Sequence, residues 1–139
     1  VVDLTRLGER SLIIDCDVVQ ADGGTRCASI TGGFVALVEA LRSLHAQRVL
    51  PALPVRDFIA ATSVGMVGGR PTLDLTYAED AAADVDLNVV MTGRGAFVEL
   101  QGTAERTPFR RADLDRMLRL AAQGIRHLLA LQRRALGSL

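Results

Sequence analysis

The sequence has 139 residues, 49% of them hydrophobic and only 4% aromatic, with 16 basic and 16 acidic side chains. That length supports one domain with a real core, which must be built from Leu, Val, Ile and Ala because aromatics are scarce and Trp is absent. A net charge of zero excludes a chain that coats nucleic acid through bulk charge, though not one with a local basic site.

The elements follow in chain order. Residues 11–19 alternate, with Leu12, Ile14, Cys16 and Val18 on one side, and read as a half-buried strand. Ala21-Asp22-Gly23-Gly24 breaks it. Ile30, Phe34, Leu37, Val38, Leu41 and Leu44 then recur at helical spacing, which predicts a helix from about Thr25 to about Ala46. Pro51 and Pro54 mark a loop. Phe58–Val67 reads as a strand, Gly68-Gly69 as a two-residue hairpin turn, and Arg70–Thr76 as the returning strand. Tyr77–Ala83 reads as an acidic connection. Asp84–Thr92 and Ala96–Ala104 are two more strands around Gly93-Arg94-Gly95. Past Thr107-Pro108, the residues Leu114, Met117, Leu118, Ala121, Ile125, Leu128 and Leu129 form one helical stripe. The expected architecture is a single α+β domain: a mixed β-sheet, a four-strand meander within it, and helices packed on one face.

All sixteen basic residues are arginine. A GC-rich coding sequence explains this, and guanidinium also suits bidentate phosphate contact. Cys16 and Cys27 are too few for a disulfide framework or a zinc site, and Cys16 is expected to be a buried small hydrophobe. Val1–Arg6 lacks the pattern of a signal peptide, and no apolar run reaches the roughly 20 residues of a membrane span. No membrane partner and a reducing, cytoplasmic setting are expected.

Two clusters carry chemistry. Gly24-Thr25-Arg26 places glycine-freed backbone, a hydroxyl and a guanidinium at a helix N-terminus, which bears about half a positive charge. That is oxyanion chemistry; the plainer reading is a turn with an N-cap. It is not a P-loop, since the Gly-Lys-Ser/Thr ending is missing. Downstream, Glu79 and Asp80 precede Asp84 and Asp86. Crowded carboxylates are costly unless a cation or proton is shared, and Mg²⁺ takes one or two carboxylates plus water and phosphate oxygens. A solvated acidic loop is the plainer reading here. Glu99, Gln101 and Thr103 share a strand face, which an exposed sheet surface also explains. His45 and His127 lie on helices without ligand spacing, so structural or surface roles fit them best.

Together, Asp15–Arg26, Ala28–Gly32, Glu79-Asp80, Asp84–Val90 and Glu99–Glu105 resemble ribonuclease PH, and the likeness runs through Gln132. The family consists of phosphorolytic 3′→5′ exoribonucleases that trim tRNA precursors and release nucleoside diphosphates. The resemblance implies that Gly24, Thr25 and Arg26 hold the attacking inorganic phosphate. It implies that Asp80 and Asp86 are catalytic carboxylates associated with Mg²⁺, with RNA 3′ ends as substrate and a ring hexamer as the assembly. Family members extend further at the N-terminus, so the sequence corresponds to their C-terminal portion. The missing part would supply another phosphate-site arginine, RNA-gripping arginines and much of the ring surface. Two functions follow as expectations: the catalytic portion of a phosphorolytic exoribonuclease, or a non-catalytic chain serving as an RNA-binding or oligomerisation module. Arg110 stands where a helix N-cap Ser or Thr is expected.

Overall fold

The computed structural model describes residues 1–139. In chain order the elements are α1 (Leu4–Leu7), α2 (Thr25–Ala46), β1 (Ile59–Val67), β2 (Arg70–Leu73), α3 (Tyr77–Ala82), β3 (Val85–Thr92), β4 (Phe97–Ala104) and α4 (Arg111–Leu136). The α+β class holds, and α2 has the bounds its periodicity predicts. The sheet departs from expectation in two ways.

First, it is antiparallel throughout. The reading of a mixed sheet included a strand over 11–19, and those residues join no ladder. They lie beside α2 instead, with Ile14 and Cys16 against Gly33. Ile13 and Val19 remain 93% and 95% exposed. Alternation alone does not make a strand when no neighbour is within reach to pair with it. For the same reason Cys16 is exposed rather than buried.

Second, the strand order is β2-β1-β3-β4, so the four strands are not a simple meander. Gly68 and Gly69 have φ of +55° and +74°, the left-handed pair that a type I′ hairpin requires. β2 then stops after four residues and carries Pro71, which suits an edge strand and no other place. β1 is buried along its whole interior, so it needs neighbours on both sides. β3 supplies the second, pairing from Ile59↔Thr92 to Met66↔Val85.

The link that carries the chain across is ordered. Thr76-Tyr77-Ala78-Glu79 is a capping box, with the Thr76 hydroxyl accepting from Glu79 N–H and the Glu79 carboxylate accepting from Thr76 N–H. Two orphan donors are satisfied by this exchange, and it turns the expected acidic connection into the short helix α3.

One sheet face forms the core. Val64, Val85, Leu87 and Val89 pack against Met117, Ala121, Ile125 and Leu129 of α4, with Phe34 and Val38 of α2 at the margin. These α4 residues come from the stripe read in the sequence. α2 runs along the part of β1 that β2 leaves unpaired. There the Thr31 hydroxyl accepts from Ala61 N–H at 3.0 Å and donates to Ala61 C=O at 3.2 Å. Gln132 of α4 donates to both Thr31 C=O and Ile59 C=O at 2.9 Å. By length and composition α2 meets the measure of a membrane span, contrary to the expectation that no segment does. In this fold it is a core helix, burying Phe34, Val38 and Leu41.

Arg110 is the N-cap of α4 and makes no side-chain capping bond. Arg110→Ser should therefore stabilise the protein by about 1 kcal/mol, read as a higher urea midpoint at unchanged denaturant slope.

Candidate active site

α4 covers one face of the sheet, and the polar residues collect on the other. Because side chains alternate along a strand, β3 presents Asp86, Asn88 and Val90 there. β4 sets Thr103, Gln101 and Glu99 opposite them, and β1 sets Gly65, Ser63 and Ala61 on the other side. The start of α2 comes down on this face. Cys27 packs with Ala61 and Val90, and its Sγ–H donates to Asn88 Oδ1 at 2.9 Å. Burial pushes the Cys27 thiol up to about 11, and the charges it feels are those of Arg26, Asp86, Asp74 and Glu99. This thiol is a packed, protonated group rather than a nucleophile.

The turn before α2 is held from below. Asp22 Oδ1 accepts from Gly23 N–H at 2.8 Å and from Tyr77 N–H, the first residue of α3, at 2.6 Å. These two backbone bonds hold the Asp22 carboxyl below the usual carboxylate range. Gly24 is the N-cap of α2 with φ of +71°, and no side chain caps this helix. The first N–H groups of α2 therefore have no intrahelical partner. Asp22 joins the turn that carries Gly24, Thr25 and Arg26 to the helix that carries Asp80. In the sequence Asp22 stands only as part of a chain break, because its partner is 55 residues away.

Arg26 does not hang free. Its Nη1 and Nη2 meet Glu99 Oε1 and Oε2, each at 2.8 Å. The hydrogen bond and the opposite charge raise the Arg26 guanidinium and lower the Glu99 carboxyl from their ordinary values. Glu99 stands opposite Val90, and Asp86 lies four residues earlier on β3, on the same face. Through Glu99, Arg26 thus meets the sheet face that carries Asp86, at a position whose strand partner Val90 lies about 13 Å along β3 from Asp86.

At the carboxylate end, burial raises the Asp86 carboxyl above its usual value, followed by repulsion from Asp80 and Glu105. No arginine forms an ion pair with Asp80 or Asp86, in contrast to Asp3, Asp57, Asp113 and Asp115. No group of three or more His, Cys, Asp or Glu is gathered closely enough to form a metal cage. Two unpaired, mutually repelling carboxylates match the modest protein share of a Mg²⁺ shell. Glu79 is used up in the capping box, so it leaves the acidic cluster. His45 Nδ1 lies 3.0 Å from Leu50 C=O, a structural contact, as its position suggests.

The raised Asp86 carboxyl has a consequence for stability. A folded-state value above the unfolded one means that the fold disfavours the ionised form, so stability is lost as pH rises through that value. Asp86→Asn should raise the melting temperature at pH 7, and the gain should vanish below about pH 4, where the unfolded carboxyl is protonated. Paired melting curves at the two pH values check this.

The profile of the 3′ exoribonuclease family, domain 2, matches residues 57–124. Ribonuclease PH of Syntrophomonas wolfei subsp. wolfei is 59% identical over 137 residues, covering 99% of this chain. The chain spans 57% of that relative's length. Among solved structures, rice (Oryza sativa) Rrp46 superposes with a TM-score of 0.66 over 86% of this chain and 51% of its own, at 18% identity, and shares the fold. Residues 57–124 thus match domain 2 of the 3′ exoribonuclease family, and almost the whole chain is similar to ribonuclease PH, the family its motifs resemble.

Proposed function

We propose that this chain carries the phosphate-binding turn and the catalytic carboxylates of a phosphate-dependent 3′→5′ exoribonuclease acting on RNA 3′ ends, including those of tRNA precursors. The observation that carries this reading is the placement of Arg26 and Asp86 on one open sheet face. Gly24, Thr25 and Arg26 bind inorganic phosphate through the free helix-terminal N–H groups, the hydroxyl and the guanidinium. A phosphate oxygen attacks the phosphorus of the terminal phosphodiester, and the bond to the preceding ribose O3′ breaks. That oxygen leaves with a proton, and a nucleoside diphosphate is released. Two anions must meet in this reaction, so fixed positive charge at the site is the main requirement. Asp80 and Asp86 are the residues that would hold Mg²⁺, which supplies further neutralisation. The proton taken up by the leaving oxygen would come from one of these two carboxyls in its protonated, metal-free form.

The test is release of nucleoside diphosphate from a 3′-labelled RNA as phosphate is titrated. Products should appear only with phosphate, and nucleoside monophosphates formed without it would refute phosphorolysis.

A second reading is favoured by the partial coverage of the relative and by β4, which is open along almost its whole length and exposes Phe97, Val98 and Leu100. In this reading the chain is a module that needs further surface, such as the family's ring hexamer, to be active. Supplying the relative's remaining N-terminal part in trans separates the two. Turnover by this chain alone would eliminate the second.

A further inference from the structure

Resting on the reading that Arg26 binds phosphate, we propose that Glu99 is a positioning residue for that arginine, holding its guanidinium on the sheet face so that the cation is already aimed when phosphate arrives. The contact is a two-point fork, with both terminal nitrogens of Arg26 at 2.8 Å from the two carboxylate oxygens. Two bonds fix the plane of the guanidinium as well as its place. A guanidinium has five N–H donors. The fork uses two, so the Nε–H and one N–H on each terminal nitrogen remain for an anion. Glu99 is itself anchored, because it lies in the β3–β4 ladder opposite Val90. The Arg26 head is therefore registered to the strand that carries Asp86, while its backbone belongs to α2.

Glu99 does not serve mainly to hold the fold together: the Arg26 and Glu99 side chains are 50% and 37% exposed, and ion pairs in such settings contribute little to stability. Nor is it simply a competing anion. A competitor would weaken phosphate binding, so its removal would strengthen it. A positioner acts oppositely. Without it, a half-exposed arginine on the first turn of a helix samples many rotamers, and ordering that side chain on binding weakens affinity by about two- to tenfold. Sequence separation hides the pair, since the partners are 73 residues apart.

The experiment is calorimetric titration of the unaltered chain and its variants with inorganic phosphate. Glu99→Ala should weaken phosphate binding about fivefold, and Glu99→Gln, which keeps one acceptor, should fall between it and the unaltered chain. In an Arg26→Ala background, Glu99→Ala should cause no further loss and should recover the share due to the unpaired carboxylate, the signature of two residues acting as one unit. Unfolding midpoints in phosphate-free buffer should stay at the unaltered value. Equal or tighter binding by Glu99→Ala, or the same loss with Arg26 already removed, would overturn the positioning role while leaving the phosphate site standing. Undiminished binding by Arg26→Ala, or no binding by the unaltered chain, would instead overturn the phosphate assignment, and this inference with it.

Discussion

Arg26→Ala should lower phosphate-dependent release of nucleoside diphosphate by about 10²–10³-fold, the scale seen when one preorganised transition-state donor is removed. Two effects act in the same direction. The attacking phosphate loses the guanidinium that this turn supplies, and Glu99, 2.8 Å from that guanidinium in the fold, becomes an unpaired carboxylate beside the anion site. Arg26→Lys should recover only part of the loss, since an ammonium keeps the charge and cannot form the planar fork. The fold should tolerate both changes, because the side chain is half exposed. The check is a phosphate titration of the initial rate, run on this chain and, where it is inactive alone, on this chain with the relative's N-terminal part. Arg26→Ala turnover within tenfold of the unaltered protein would remove Arg26 from the reaction.

Gly23→Ala should be the most damaging single-methyl change in the turn. A Cβ at Gly23 would fall onto Leu75 C=O and lie within 2.9 Å of Thr76 C. These are backbone atoms, so nothing flexible can yield. Leu75 is 2% exposed, and its N–H is tied to Ser63 Oγ at 3.2 Å, so that side cannot retreat either. The turn must move instead, breaking the bonds from Gly23 and Tyr77 to Asp22. Overpacking of this kind costs about 1–3 kcal/mol, and the displaced turn should also lose its protection by phosphate. Gly32→Ala is the contrasting control. It lies in the interior of α2 with nothing within 4 Å of its added Cβ, so it should stabilise by about 0.5–1 kcal/mol. Melting curves with and without millimolar phosphate read both effects. A Gly23→Ala protein that melts and responds to phosphate like the unaltered chain would show that the close approach to Leu75 is not required.

What was legible in the sequence divides along physical lines. α2, the Gly68-Gly69 hairpin and the buried stripe of α4 are written in local spacing, and each appears as read. The strand order is not local. It depends on the fact that β1 must be covered on both sides while a four-residue β2 containing Pro71 can only sit at an edge. The alternation at 11–19 is real, yet it yields no strand, because pairing needs a neighbour that the pattern cannot report. The site was partly visible for the same reason. Gly24, Thr25 and Arg26 are contiguous, and Asp86 stands out on an alternating strand. The partners that arrange them do not: Glu99 for Arg26 and Asp22 for α3 lie 73 and 55 residues away. Glu79 was misleading because a capping box and an acidic site use the same residue types.

The Thr31 hydroxyl fills both backbone positions of Ala61 on the flank that β2 leaves bare. Together with a four-residue outer strand interrupted by Pro71, it denies that margin to any incoming polypeptide. The opposite margin has no such stopper: β4 is the last strand of the sheet, and seven of its eight residues are exposed. Lateral growth of this sheet is therefore polar: it is blocked at one border and permitted at the other, beside the strand that holds Glu99.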